Sequence, residues 1–448
     1  MDTYKFALIP YYFVAIIYLP YYVFQLSRTK KLNAITIVRG LYILIYSIVP
    51  IITLNYVSKN GVNLKTVTLA LDYTGMEQLS DMCFFSFVGF IGLELGYSRK
   101  KLFQLRHREK SVHYEDNALW CASLLMAVVS FFALLLWTYP FGGPIAMFEY
   151  GTLIRSGRDI AGISNTFGFM KQFVPLAQFA SIISLALYYK NKQIRYLSNF
   201  AFSLVVSLIY LIANDGRAAF LMYIVSLFLL HLELKKKDNV RKKSEIVSYF
   251  VIGIIGFWFI SNIYSIIGAF TGNTVLEEDN DSNGLFGFLY DEFSWTVRNA
   301  QAVRTALSEG YTFKFFNEIL SGILAWFPSR FRPTWFPRLE KVNTVYWYGS
   351  ENVYGGKPPD MITAGLYTLS YPGVFILPFL WGYIIKHFDN FFEKRGNSVY
   401  YDILFVQMVY QFTKIVPYDD FAILTLNMFY IVLGHFIVIH FNRKYERA

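Results

Sequence analysis

Long apolar runs, broken by short polar punctuation, dominate the chain. About eleven of them approach membrane length, at roughly 6–26, 40–57, 82–98, 118–139, 172–189, 199–213, 218–233, 246–269, 364–385, 400–417 and 421–441. Backbone groups in hydrocarbon must be satisfied within their own segment, so runs of this length predict helices. The fold class expected is therefore all-α and polytopic. Three stretches follow: a bundle of eight spans over 1–269, a large partly helical loop over 270–363, and three further spans over 364–448.

The polar punctuation carries a sign. Arg28, Lys30 and Lys31 follow the first span, and Arg99, Lys100, Lys101, Arg106 and Arg108 follow the third. Basic residues also follow the fifth (Lys190, Lys192, Arg195), seventh (Lys235–Lys237, Arg241–Lys243) and ninth spans (Lys394, Arg395), and the last (Arg443, Lys444). Cytoplasmic loops collect Lys and Arg. This alternation predicts an N-terminus outside, a C-terminus in the cytoplasm, and the segment 270–363 outside. The first apolar run lacks a basic leader and is long enough to span, so no cleavable signal peptide is expected.

Composition sharpens the picture. Hydrophobic residues make up 55% of the 448 and charged residues only 16%, against about 25% charged in soluble domains; mean hydropathy is +0.37. The net charge of +10 is explained by the basic cytoplasmic loops, so no nucleic-acid partner is implied. Cys83 and Cys121 both lie in or beside apolar runs and provide no disulfide framework. Phosphate-loop, HExxH and CxxC motifs are absent from the sequence. All six histidines fall at or near the cytoplasmic side, which excludes histidine chemistry on the outer face. No metal and no cofactor are expected.

The segment 270–363 is the longest interval without a membrane-length run. It opens on the acidic cluster Glu277–Asp281, which either holds a cation or is a solvated loop. Leu285 to Leu307 reads as a helix placing Asp291, Ser294 and Arg298 on one polar face. Phe313, Phe316, Ile319, Leu320, Ile323, Leu324 and Phe327 then mark an amphipathic helix, lying at the interface or packed on the bundle.

Arginine supplies the positive signal on the predicted outer side: Arg155, Arg158, Arg217, Arg298, Arg304, Arg330, Arg332 and Arg338. Guanidinium stays charged and grips phosphate bidentately. The alternative for any one of them is a solvated charge or a lipid-headgroup contact. Arg217 sits in the tight turn Asn214-Asp215-Gly216-Arg217, where it either serves a site or pairs with Asp215. Asp291 and Glu292 read as candidate general bases or as helix partners of Arg298. Asp419 and Asp420 near Lys414 are either structural or acceptor-binding. Glu94, near the inner end of the third span, snorkels or is paired.

Asn214-Asp215-Gly216-Arg217-Ala218, Asp291-Glu292-Phe293-Ser294, and Trp326-Phe327-Pro328-Ser329 with Arg330 and Arg332, followed by Gly365, occur in that order. In this respect the chain resembles the Wzy-type O-antigen and oligosaccharide repeat-unit polymerases, the enterobacterial common antigen branch among them. The likeness runs from about the sixth span to the ninth. The glutamate that many members carry after the loop is missing beside Gly365 and Gly373. The resemblance implies a GT-C-like membrane glycosyltransferase of the bacterial inner membrane. Its donor would be a glycan on undecaprenyl diphosphate and its acceptor a lipid-linked repeat unit. Arg217, Arg330 and Arg332, supported by Arg298 and Arg158, would hold the diphosphate, and Asp291 would deprotonate the acceptor, unless no protein base is used. A chain-length regulator and a flippase of the same pathway would be its partners, besides the bilayer. Three other readings remain: an O-antigen ligase, which would need an outward histidine; a lipid-linked oligosaccharide flippase, which would show repeats and charges buried within spans, neither of which the sequence shows; and a non-catalytic subunit of a glycan assembly complex.

Overall fold

The computed structural model describes residues 2–28, 33–60, 76–99, 114–151, 154, 167–213, 217–236, 293, 295–312, 315–327, 338–350, 356–394 and 398–446. All regular structure among them is helical. Six helices are long and apolar enough to cross a membrane, and a seventh crossing is available as a bent pair, Met361–Leu369 with Gly373–Glu393, at 119°. The chain is thus a polytopic helical membrane protein. Helices also stand at the predicted third, seventh and tenth spans, and the eighth, 246–269, lies outside the described residues.

The chain divides into two compact units. The first holds α1 (Asp2–Arg28), α2 (Ala34–Ile43), a π-helical turn (Leu44–Ile48), α3 (Val49–Asn60) and α4 (Met76–Ser98). The second holds α5 (Asp116–Thr138), α6 (Leu176–Asn191), α7 (Ile194–Ala213) and α8 (Arg217–Lys236). The chain then returns to the first unit with α9 (Thr296–Ser308), α10 (Phe315–Leu324), α11 (Leu339–Tyr348), α12 (Met361–Leu369) and α13 (Gly373–Lys394). Of the last two helices, α14 (Val399–Lys414) and α15 (Phe421–Glu446), the facing ends over 411–426 belong to the first unit and the remainder to the second.

The core of the first unit is the crossing of α4 and α13. Gly92 and Gly96 of α4 lie directly under the carbonyls of Phe375 and Phe379, and Gly382 of α13 lies under that of Leu93. A Cβ at any of these would strike backbone, so glycine sets the helix separation. Close approach of this kind replaces the hydrophobic drive that lipid cannot supply. On α1, Phe6, Phe13 and Ile16 are more than half exposed, at 65%, 63% and 70%. Such a face is stable only against lipid.

Charge is also buried here, which corrects the expectation that none lies within the spans. Arg39 of α2 is 4% exposed and grips Glu94 bidentately, Nε to Oε1 at 2.5 Å and Nη2 to Oε2 at 2.6 Å. Tyr21 donates to the same carboxylate at 2.6 Å, so Glu94 is paired rather than snorkelling. Asp389, 8% exposed, accepts from the Ala34 amide at 2.8 Å and from Tyr97 at 3.1 Å, capping α2. Arg39 reads in sequence as a flanking charge because its partner lies far along the chain.

In the second unit, serine and asparagine join the helices. Asn199 of α7 donates to Ser123 of α5 at 3.0 Å and to Ser184 of α6 at 2.8 Å, and Ser181 bonds Tyr223 of α8 at 2.6 Å. Polar pairs of this sort hold membrane helices together.

Candidate functional site

The described part of 270–363 is a docked structure. α9 overlaps the predicted 285–307 helix, and Asp291, Glu292 and Ser294 lie outside the described residues. α10 falls inside the predicted amphipathic stretch. It rests on its small face: Gly322 meets the backbone of Phe421, Thr425 donates to the Gly322 carbonyl at 2.6 Å, and Trp326 Nε1 donates to the Thr425 carbonyl at 2.6 Å. Leu320, Ile323 and Phe327 stay exposed at 44%, 57% and 52%. Gly322 is thus a packing point on the bundle, while Leu320 and Ile323 of the same helix face outward. α11 has no counterpart in the sequence-based elements. Its signals were Glu340 in the first turn and Gly349 in a left-handed C-cap (φ 68°).

Asp360 ties these helices to the bent span. It is fully buried and N-caps α12. Its Oδ1 accepts from Tyr46 at 2.7 Å, the Ile362 amide at 3.0 Å and the Thr363 amide at 3.2 Å. Its Oδ2 accepts from Asn299 of α9 at 2.8 Å and the Thr363 hydroxyl at 2.6 Å. Asn299 then accepts from Asn343 of α11 at 3.1 Å, and Tyr367 donates to Asn343 at 3.1 Å. Tyr46 reaches Asp360 from the π-helical turn. That wide turn stands directly ahead of Pro50, whose missing N–H leaves the Tyr46 carbonyl without its helical donor. A carboxylate offers about four acceptor positions, and here they are filled. Asp360 is an anchor, not a free base.

Beyond α12 the chain turns sharply where Gly365 and Gly373 meet backbone to backbone, with no room for a Cβ on either. Ser370 takes a positive φ of 58° at the break. Asp420 caps α15 by accepting from the Ala422 and Ile423 amides at 2.7 and 3.0 Å, and its other oxygen accepts from the Glu340 amide at 2.8 Å. Asp419 accepts from Trp381 Nε1 at 2.9 Å. Asp420 thus clamps the start of α11, and the backbone amide of Asp419 donates to the Pro359 carbonyl at 2.9 Å. The Glu340 carboxyl is pushed up by burial and by Asp420, and Arg338 opposes that shift.

Of the arginines singled out by sequence, Arg298 is the one whose side chain is described in a buried setting. It lies in the first turn of α9, 9% exposed, with its guanidinium 4.4 Å from the centre of the Trp347 indole. Lys357 Nζ is 4.9 Å from the same ring centre. Trp295 stacks on Tyr418 nearby at 5.7 Å. Tyr348 is 38% exposed and opens this cluster to the surface. Burial raises its phenol pKa, and Arg298 pulls it back. Arg304 forms an ion pair with Asp81. Arg217 is the first residue of α8, in the second unit. Arg155, Arg158, Arg330 and Arg332 lie outside the described residues. Sequence reasoning missed Lys357, Trp347, Asn299 and Asn343. Lys357 had a visible signal, a lysine ahead of Pro358-Pro359 close to a predicted span.

Among the described residues, no three His, Cys, Asp or Glu side chains converge as a metal site. Chemically, the cluster offers two cations and an aromatic wall at the surface of a polar, hydrogen-bonded platform. Such an arrangement suits an oxyanion beside an apolar or sugar-bearing group. The chain matches no family model, no curated protein and no solved structure.

Proposed function

We propose that this protein is a glycan polymerase of the bacterial inner membrane, transferring a growing oligosaccharide from undecaprenyl diphosphate to a hydroxyl of a new lipid-linked repeat unit. In this reading it has eleven spans and a GT-C-like arrangement, with the N-terminus outside, the C-terminus in the cytoplasm, and 270–363 over the outer face. The observation that carries it is the buried Arg298, held against Trp347 beside Lys357 on helices that Asp360 fastens to a bent span. Cleaving the anomeric bond leaves a diphosphate that gains charge. Fixed cations in a water-poor setting stabilise that charge most where it develops. The roles of Arg217, Arg330, Arg332 and Arg158 at the diphosphate, and of Asp291 in taking the acceptor proton, are those the resemblance implies. A chain-length regulator and a flippase act alongside.

The test is in cells. Charge-neutralising changes at Arg217 and Arg330 should each shorten or abolish the polymer without loss of protein. Unchanged polymer length and amount in both would sink the reading. A lipid-linked oligosaccharide flippase is the second reading, and one observation favours it. The bent pair Met361–Leu369 and Gly373–Glu393 resembles the discontinuous helices of transporters.

A further inference from the structure

We propose that the connection between α6 and α7 is a binding site for an anionic phospholipid, with the headgroup on Lys192 and Arg195 and an acyl chain along α7. Both helices are long and apolar enough to cross a membrane, and only Lys192 and Gln193 join them. So short a connection stays at the membrane surface, which puts its charges at headgroup height. Lys192 holds a left-handed backbone there, φ 55° and ψ 23°, at the end of α6. Glycine or asparagine usually fills such a position, and a lysine in it is strained. Its ammonium lies 4.9 Å from the ring centre of Tyr189 and 5.3 Å from that of Tyr188. Arg195 lies 4.9 Å from the ring centre of Trp120 and 4.7 Å from that of Tyr196. Its hydrogen bonds go to neutral groups: Gln193 Oε1 at 2.7 Å, Asn117 Oδ1 at 3.2 Å and the Tyr196 hydroxyl at 2.7 Å. Among the described residues neither cation meets a carboxylate, whereas neighbouring Lys190 is neutralised by Asp116 at 2.8 Å. The rings hold Lys192 and Arg195 in place and leave their charge uncompensated.

The two cations are brought to one spot. Asn191 and Arg195, on either side of Lys192, bond the adjacent residues Asp116 and Asn117 of α5, at 3.0 and 3.2 Å. The Lys192 amide donates to the Tyr188 carbonyl at 2.8 Å, and the Tyr196 amide to the Gln193 carbonyl at 3.1 Å, so the turn is closed. Three peptide steps keep the Cα atoms of Lys192 and Arg195 within about 11 Å. Lys192 is exposed and Arg195 half-buried, so both are accessible. Alongside them, Ile194, Phe202 and Val205 are 76%, 39% and 54% exposed and fall on one face of α7. This ridge is about 16 Å long, half of the roughly 30 Å hydrocarbon core, the reach of one acyl chain in one leaflet. Charge complementarity selects the lipid: an anionic headgroup meets two unneutralised cations, and a zwitterionic one brings a third. The site stands apart from the polymerase reading.

Native mass spectrometry of the full-length protein in a neutral detergent tests it, with dioleoyl phosphatidylglycerol, dioleoyl phosphatidylcholine and glycerol 1-phosphate as probes. The first phosphatidylglycerol should bind at least fivefold tighter than phosphatidylcholine, and glycerol 1-phosphate, which lacks the chains, should not bind. Arg195→Gln and Lys192→Gly should each weaken phosphatidylglycerol by roughly fivefold, the contribution of one basic residue near an anionic surface. Lys192→Gly also relieves the left-handed backbone, so its melting temperature should not fall. Lys341→Gln, which removes an exposed cation of α11, should bind like the parent. The site is refuted if the parent binds both lipids equally, or if Lys192→Gly melts normally and binds phosphatidylglycerol like the parent. It is refuted as well if Lys341→Gln weakens binding as much as Lys192→Gly does. Binding of glycerol 1-phosphate as tight as that of the lipid would remove the lipid as the occupant.

Discussion

Replacing Asp360 with alanine should release the outer helices from the bent span before it unfolds the protein. The carboxylate accepts five hydrogen bonds in a fully buried position. Two come from the first free amides of α12, so alanine removes a helix cap, at about 1 kcal/mol. The other three donors are Tyr46, Asn299 and the Thr363 hydroxyl. Leaving a buried donor unmet costs about 1–3 kcal/mol. Tyr46 and Asn299 have fallback acceptors in the carbonyls of Val416 and Pro358, at 3.4 and 3.5 Å. With that relief, the total is about 3–5 kcal/mol. Asp360→Asn keeps the cap and disturbs only the Oδ2 side, so it should cost about 1–2 kcal/mol. Unfolding in mixed detergent micelles, followed by tryptophan fluorescence, measures both. Limited proteolysis separates a local effect from a global one, because cleavage within 296–348 should appear first in Asp360→Ala. If Asp360→Ala and Asp360→Asn match the parent in both measurements, Asp360 is not the anchor argued for here.

Three further outcomes follow from the same structure. Arg39→Met should destabilise the first unit by about 3–5 kcal/mol, because it strands the Glu94 carboxylate among helices; the double change Arg39→Met with Glu94→Leu should recover much of that in the same unfolding assay. Gly96→Leu puts a side chain into the Phe379 backbone and should abolish recovery of monodisperse protein, whereas Gly310→Ala, with no atom in its way, should cost only the roughly 1–2 kcal/mol of a left-handed alanine and leave recovery intact. The folded-state pKa of Glu340 lies above its unfolded value, so this group adds stability at low pH that is lost as pH rises from the ordinary carboxylate range through the folded value. Thermal melting of Glu340→Gln across that window should decline less with rising pH than that of the parent.

How much of this the sequence made legible depends on the range of the interaction. Apolar runs are local, and the helices of the described spans stand where hydropathy placed them, except that the predicted single ninth span, 364–385, is a pair of helices bent by 119° at Ser370–Pro372. The amphipathic spacing of 313–327 likewise marked a real helix, but it did not show that Gly322 makes the close contact while Leu320 and Ile323 face outward. α11 escaped because its apolar positions do not form a clean stripe. The Asp360 network, the Arg39–Glu94 pair and the Trp347 cation cluster join residues tens to hundreds of positions apart, and one sequence carries no record of such meetings. Arg298 was reachable because a buried arginine and an exposed one both stand out on a predicted outer loop. Trp347 was not, because only its position against Arg298 and Lys357 sets it apart from the chain's other tryptophans, and the one signal at Lys357 was its place ahead of Pro358-Pro359.

The central claim is tested most directly in vitro. The purified protein is supplied with undecaprenyl-diphosphate-linked repeat units, without nucleotides or added metal, and the products are resolved by size. A ladder that lengthens with time, and that disappears in Arg217→Ala, is the predicted result. Folded protein given authentic substrate that returns only single repeat units would contradict it.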